Sequence, residues 1–326
     1  MKNSNFYLSR STNSEKINLP KEVITYFQQR GHFVRDFPSY EQVRGRDGEL
    51  PIEINNSIMF GEFPDSTYPI KNRLPRDQRK AEEYSLNIVS LFTRNNPRSI
   101  SKLERDYMLF GCSKPIRIRS LLDKKIKSSI YVKKPSIERL FGINLYNFLS
   151  GKEKQDYIFN NYSFVEREIS GGHIDQENKS NISKRERFKE SAIRLATLDD
   201  FMSISDLDKQ DGPNDSLSNI LIKSDGSIIA FDFNTVLQPY IKYEKSPLLD
   251  RLREMKIDIP INLEREIASD EARRICYTIH QNKNCFNKIV RLIDKVPYMR
   301  SRLEEGGYES AEEYFEESTS RLKERI

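Results

Sequence analysis

The sequence predicts an α+β protein with a strand-rich first part that contains one main helix, followed by a largely helical second part that carries one hairpin. Short apolar runs separated by Gly, Asn and Asp follow residue 45, which is the pattern of strands and turns. A long amphipathic pattern comes next and predicts the main helix. Helical patterns dominate beyond the glycine pair Gly171 and Gly172. The order of these patterns favours two parts joined near that pair.

The first part is predicted to span residues 19–170, after a polar lead at 1–18 that we expect to be flexible. A short helix is expected at "LPKEVITYFQQRGHF", and strands are expected at "GELPIEI", "SIMFGEF" and "TYPIKNRL". The main helix is "PRDQRKAEEYSLNIVSLF". Apolar residues at helical spacing form its predicted buried stripe, which consists of Ala81, Tyr84, Ile88 and Leu91.

The second part is predicted to span residues 171–326 and to carry the hairpin at 219–233. Ahead of it, "SIERLFGINLYNFLSG" predicts a helix closed by Gly151, and "YSFVEREISGG" predicts a strand. A long helix is expected at "KRERFKESAIRLATLDDFMSISDL". Ser310 and Glu313 have the spacing of a capping box at the start of the last helix.

Composition and motifs exclude several classes of protein. No apolar run reaches the roughly 18 residues that would span a membrane, and the first residues lack the apolar core of a secretory signal. We therefore expect a soluble protein made in a cytosol. The three cysteines have neither a zinc spacing nor a disulfide pattern. The HExxH, GxSxG and P-loop motifs are absent from the sequence, which argues against zinc hydrolases, nucleophile-elbow hydrolases and P-loop enzymes.

The hairpin "SNILIKSDGSIIAFDFN" offers a candidate metal site. A two-residue turn at Asp225-Gly226 would place Asn219 directly opposite Asp232. Side chains opposed in this way have Cβ atoms about 4.5–5.5 Å apart, close enough to share Mg²⁺. An ordinary surface hairpin is the alternative. The apolar runs on both sides favour the metal, because a carboxylate buried beside them needs a partner.

The same stretch resembles the catalytic loop and metal-binding hairpin of the protein kinase superfamily, and most closely its HipA-type and phosphatidylinositol kinase-like branch. The resemblance implies a bilobal kinase-like fold, with ATP and Mg²⁺ as cofactors and with Asn219 and Asp232 as metal ligands. "TYPIK" resembles the family strand whose lysine holds the ATP phosphates and pairs with a helix glutamate. This implies Lys71 for the lysine and Glu83, with Glu82 as the alternative, for the glutamate.

The chain also departs from the family pattern. "GRDGE" is the only glycine-bearing candidate for the phosphate loop, and Asn234 stands where the DFG-type glycine would be. The position of the family's general base holds Asn214, whose amide cannot accept a proton as a carboxylate can. Asp215, and after it Asp211, are the candidate catalytic bases. Phosphoryl transfer depends mostly on positioning and electrostatics, so the missing base does not exclude activity. An inactive pseudokinase is the alternative.

A basic segment at 113–135 concentrates the net positive charge: it holds eight Lys or Arg residues and one Asp, whereas the chain as a whole has a net charge of only +5. We predict that it is an insertion in the first lobe that binds a polyanion, either an inositol polyphosphate or a phosphoinositide, the latter through peripheral contact with a membrane. A solvated charged face is the alternative. Charge confined to one segment does not favour nucleic acid. The basic residues are Lys114, Arg117, Arg119, Lys124, Lys125, Lys127, Lys133 and Lys134.

The sequence therefore predicts an atypical kinase that uses ATP and Mg²⁺ to phosphorylate Ser or Thr of a protein, regulated by the polyanion. A phosphoinositide or inositol kinase and a catalytically inactive phosphoinositide-binding protein are the alternatives. The composition and the missing signal resemble secreted effector kinases of intracellular bacteria of the Legionella type. That resemblance implies synthesis in a bacterial cytoplasm, secretion into a host cell without a cleaved signal peptide, and a host protein as substrate.

Overall fold

The computed structural model of the chain describes residues 16–44, 77–93, 102–107, 115–122, 125–151, 154–173, 185–204, 219–231, 233, 236–237 and 247–326. The chain divides into two compact units. The first consists of Met1–Leu19, Tyr26–Pro135 and Tyr157–Arg167, and the second of Pro20–Thr25, Ser136–Asp156 and Glu168–Ile326.

The first unit contains a five-stranded antiparallel sheet with the strand order β1-β2-β3-β5-β4. The basic segment forms β2 and β3, so the residues predicted as an insertion supply two neighbouring strands of this sheet. The three strands predicted between residues 48 and 74 lie outside the described residues. The strands are β1 (Lys102–Tyr107), β2 (Ile116–Leu122), β3 (Lys125–Lys133), β4 (Tyr157–Phe159) and β5 (Phe164–Arg167).

The two faces of this sheet differ because side chains alternate along each strand. One face is apolar and packs against two helices, α2 (Tyr40–Arg44) and α3 (Asp77–Thr93). The buried residues of this core are Phe37, Tyr40, Val43, Ile88, Val89, Ile116, Ile118, Ile130, Val132 and Val165. Helix α3 is the predicted main helix, but its predicted stripe is wrong at Leu91. Leu91 is 47% exposed, and Val89 is buried instead.

The second unit is mainly helical, and its helices begin and end close to the predicted signals. Ser136 caps α4, and Gly151 follows it with φ +62, as expected for a residue that closes a helix. Ser310 Oγ accepts a hydrogen bond from the Glu313 amide and caps the last helix. The helices are α4 (Ile137–Leu149), α5 (Glu186–Met202), α6 (Pro247–Glu254), α7 (Ile261–Gln281), α8 (Lys283–Asp294), α9 (Pro297–Glu305) and α10 (Ala311–Lys323); α1 (Lys21–Gln28) has residues in both units.

A buried carboxylate ties together three helices of the second unit. Glu271 of α7 is 3% exposed and accepts hydrogen bonds from Arg194 of α5 and from Arg274. Arg274 also donates to the carbonyl oxygen of Leu149 at the end of α4. The two guanidinium groups compensate the buried carboxylate, and the carbonyl contact anchors the end of α4.

The predicted hairpin is present, but its register differs by one residue from the predicted one. Strands β7 (Ile220–Ile222) and β8 (Ile228–Ala230) pair with Ile222 opposite Ile228. The loop between them contains three residues, with Gly226 at φ +84, and the Lys223 amide donates to the Ser227 carbonyl oxygen. This is a turn followed by a glycine bulge, which is the usual three-residue hairpin loop. Strand β6 (Gly172–His173) completes this second sheet beside β7.

We expect Gly226→Ala to lower the free energy of unfolding by about 1 kcal/mol, because an L side chain is disfavoured at positive φ. An added Cβ would meet only ordinary contacts, with Arg185 at 3.6 Å and Arg187 at 3.8 Å, so the cost would come from the backbone. Gly226→Asn is the matched control and should cost less, because Asn tolerates this conformation. Urea unfolding measures the free energy of unfolding of both variants, and we expect the slope of that free energy against urea concentration to be unchanged. Equal losses for Ala and Asn would contradict a purely conformational cause.

No helix in the described part of the chain is long and apolar enough to cross a membrane.

Candidate functional site

Buried polar side chains of the second unit hydrogen bond to the backbone of the hairpin β7–β8. Ser191 of α5 hydrogen bonds to both the amide and the carbonyl oxygen of Ile228, at 3.0 and 3.2 Å. Gln155 donates from Nε2 to the carbonyl oxygen of Ala230 at 2.6 Å. Both contacts satisfy backbone groups beside buried strands, where an unpaired polar group is costly. These hydrogen bonds hold the backbone of β8 in place up to its last residue, two positions before the predicted metal ligand Asp232.

The residue after Asp232 is anchored in the core of the same unit. Phe233 is fully buried, and its ring lies 4.9 Å from the ring of Tyr146 on α4. Gly142 of α4 lies against it, because an added Cβ at Gly142 would come within 2.6 Å of the Phe233 Cβ. Burial raises the pKa of the Tyr146 hydroxyl well above its ordinary value. Helix α4 therefore packs through apolar contacts against Phe233, in the segment that follows β8.

The tip of the hairpin is stabilised by its own side chains and by α5. Asp225 accepts hydrogen bonds from the amide and hydroxyl of Ser227 and lies 3.3 Å from Arg187. The bonds from Ser227 lower the pKa of the Asp225 carboxyl, and the positive charge of Arg187 acts in the same direction. These contacts account for Asp225 as a turn residue.

The observed register changes the predicted metal geometry. Asn219 lies next to the first residue of β7, and its carbonyl oxygen accepts a hydrogen bond from the Phe231 amide at 3.0 Å. The prediction that Asn219 stands directly opposite Asp232 is therefore wrong, because the three-residue loop moves the partner of Asn219 to Phe231. Asp232 itself lies outside the described residues, so its role as a Mg²⁺ ligand with Asn219 stays a prediction.

The first unit holds a buried ion pair on the face of the sheet that α2 and α3 do not cover. Lys133, at the end of β3, is 5% exposed, and its ammonium group pairs with Glu166 of β5. The register places Glu166 opposite Tyr131, so Lys133 and Glu166 are diagonal neighbours on one face. We call this surface the polar face of the sheet, and its members are Arg117, Arg119, Tyr131, Lys133 and Glu166.

Several charges of the predicted polyanion segment are matched by carboxylates within the first unit. Arg119 Nε lies 3.8 Å from Glu104, and Lys134 Nζ lies 3.2 Å from Glu41. Lys133 pairs with Glu166. Because three of the cations have acidic partners, the charge available to an external anion is smaller than the sequence count predicts. The contacts give no support to an inositol polyphosphate at these residues.

The predicted glutamate of the main helix lies away from the polar face. Glu83 and its neighbour Glu82 are exposed on α3. Helix α3 buries Ile88 and Val89 against the apolar face of the sheet. A side chain on this helix would have to cross the sheet to meet Lys133. Its predicted partner, Lys71, lies outside the described residues, so a pair between Glu83 and Lys71 stays a prediction.

Other predicted site residues cannot be placed at the level of side chains. The candidate bases Asp211 and Asp215 and the basic residues Lys114 and Lys124 lie outside the described residues. Lys125 and Lys127 lie on β3, where only the backbone is described. Of the predicted site residues whose side chains are described, the structure brings Arg117, Arg119 and Lys133 together on the polar face.

The sequence did not predict the pair of Lys133 with Glu166. It predicted Lys133 only as part of the anion-binding segment, and it indicated no role for Glu166. A signal was present in "PIRIRSLL", "SSIYVK" and "FVER", where apolar and charged residues alternate with the period of a strand. Alternation of that kind predicts half-buried strands, and the charged members then share a face.

No family model and no curated protein matches the chain. Among solved structures, the chain is similar to an ethanolamine kinase from Plasmodium vivax, with 13% sequence identity and a TM-score of 0.34. The alignment covers 87% of this chain and 97% of that chain.

The described elements are those of an α+β fold. One unit contains a five-stranded antiparallel sheet, and the other is largely helical and contains the hairpin. The predicted α+β class is confirmed.

Proposed function

We propose that the protein is an ATP- and Mg²⁺-dependent phosphotransferase in which Lys133, and not Lys71, holds the nucleotide phosphates. The observation that carries this proposal is the buried Lys133–Glu166 pair at the end of the third strand of the sheet. The kinase resemblance requires a strand lysine with an acidic partner, and Lys133 satisfies both conditions among the described residues.

The surroundings of Lys133 suit an anionic ligand. Arg117 and Arg119 lie on the same face of the sheet, on the neighbouring strand β2. Charge-assisted hydrogen bonds from lysine and arginine to phosphate oxygens are stronger than neutral ones. In this proposal the phosphates contact Lys133 and the neighbouring Arg117, while Arg119 stays paired with Glu104.

Asn219 and Asp232 are the proposed metal ligands. Asn219 begins the hairpin, and its side-chain oxygen is a suitable ligand for Mg²⁺. The anchored Phe233 fixes the chain on the far side of Asp232. ATP bound with Mg²⁺ would supply the phosphoryl group. We propose that Asp215, or otherwise Asp211, orients the acceptor hydroxyl.

The acceptor in this proposal is a Ser or Thr hydroxyl of a protein, with an inositol or phosphoinositide hydroxyl as the alternative. Secretion into a host cell and regulation by a polyanion belong to the same proposal and rest on composition and on the basic segment. The alternative outside the enzymes is a catalytically inactive protein that binds phosphoinositides. Transfer of label from ATP distinguishes an enzyme from such a protein.

The test is transfer of label from γ-labelled ATP to protein, inositol or phosphoinositide acceptors. We expect label on one acceptor with Mg²⁺ present, and background levels when EDTA removes the metal. Asp232→Ala should also reduce transfer to background, because it removes a proposed metal ligand. The proposed function is contradicted if no acceptor is labelled and the protein binds no Mg²⁺–ATP in equilibrium dialysis. In a parallel assay with α-labelled ATP, label on an acceptor would show nucleotidyl transfer and would also contradict the proposed function.

A further inference from the structure

We infer that Glu166, a strand residue, is the positioning residue of the nucleotide lysine, in place of the helix residue Glu83. The inference rests on the proposed function, because it concerns how Lys133 is held for phosphate binding. It assigns to Glu166 a role that the kinase resemblance implied for Glu83.

The geometry that carries this inference lies within one sheet. Lys133 stands opposite Phe164, and Glu166 stands opposite Tyr131, in the antiparallel pairing of β3 with β5. The two charged side chains are diagonal neighbours on the same face, within reach of each other for long side chains. Both are well buried, with side-chain exposures of 6% for Lys133 and 10% for Glu166. The pair is thus formed by the strand register itself.

Aromatic neighbours confine the pair. Tyr131 lies beside the ammonium group, with its ring centroid 5.8 Å from Lys133 Nζ. Phe164, directly opposite Lys133, is 1% exposed. Tyr157 stands opposite Glu166 on the other side and is also buried. Side chains packed in this way have few alternative rotamers, so Lys133 is held in one direction.

Helix glutamates lie elsewhere in the first unit. Helix α3 covers the apolar face, and both of its predicted candidates, Glu82 and Glu83, are exposed. A lysine held by its own sheet does not need a helix to approach before it is positioned. Glu166 therefore gives a lysine whose position depends on strand pairing and not on movement of α3.

The experiment measures turnover of γ-labelled ATP for Glu166→Gln, Lys133→Met and the double variant. The glutamine keeps the shape of Glu166 and removes its charge, and we expect kcat to fall about 100-fold, because the misplaced lysine no longer meets the phosphates. In the Lys133→Met background the same change should cause no further loss. A residue that acts only through Lys133 gives this non-additive result, whereas a general structural role gives an additional loss.

Thermal unfolding of each variant shows whether it is folded. If Glu166→Gln does not fold, the double variant is compared with Lys133→Met, because replacing both members of a buried pair leaves no unpaired charge. A wild-type protein that transfers no phosphate overturns the proposed function and this inference together. An active wild type with a fully active Glu166→Gln variant overturns the inference alone. Loss of turnover in Glu83→Gln, with Glu166→Gln unaffected, would assign the role to the helix.

Discussion

Lys133→Met is expected to reduce phosphoryl transfer about 100- to 1,000-fold, which is the usual cost of losing one group that stabilises charge in a transition state. Methionine matches the length and apolar stem of lysine but cannot donate to phosphate. It also leaves Glu166 without the ammonium group that pairs with it. Steady-state kinetics with γ-labelled ATP measure the loss of phosphoryl transfer. Equilibrium dialysis with Mg²⁺–ATP measures how much of that loss comes from weaker nucleotide binding.

Lys189→Met is the matched control for this prediction. Lys189 of α5 is 8% exposed and lies 3.9 Å from Glu186, so it is also a buried lysine near a carboxylate. Its replacement tests whether exchange of any buried lysine lowers turnover, and we expect turnover to stay at the wild-type level. Lys71→Met separates the two assignments of the nucleotide lysine. Loss of transfer in Lys71→Met, with Lys133→Met still active, would return the role to Lys71.

Gly142→Val is expected to lower the free energy of unfolding by about 3 kcal/mol, because the core around Gly142 has no space for a side chain. A Cβ at this position would lie 2.6 Å from the Phe233 Cβ and 2.7 Å from a Val236 methyl group. Both distances are shorter than real Cβ contacts, so α4 or the chain after β8 would have to move. Phe233 follows Asp232, and we therefore expect Mg²⁺-dependent turnover to fall as well.

Val236→Ala provides the test of this crowding. Alone it should destabilise the protein, because it leaves a cavity. In the Gly142→Val background it should recover part of the lost stability, because it removes one of the two groups that the new side chain meets. Urea unfolding of the four proteins measures the coupling between the two sites. Simple addition of the two losses would contradict a clash between these residues.

Local patterns in the sequence determined several elements correctly. The amphipathic spacing around Ala81 and Ile88 predicted α3, and the Ser310–Glu313 spacing predicted the cap of α10. The glycine after α4 and the hairpin near Gly226 were also visible. These features depend on neighbours within a few residues, so the sequence alone contains the information that specifies them.

Register and strand partners depended on contacts beyond that range. A single residue in the loop at Ser224–Gly226 decided that Asn219 meets Phe231, since a shift of one residue exchanges the faces of a strand. The sheet is built in part from the basic segment, in which apolar and charged residues alternate as in half-buried strands.

The sequence by itself determined the α+β class and a hairpin with metal-ligand residue types. Only the tertiary structure decided that Lys133 and Glu166 form a buried pair. The two residues are 33 positions apart in the chain, on strands that pair around an intervening helix and strand. Sequence patterns report local periodicity, whereas the pairing of distant strands is set by how complete faces are buried.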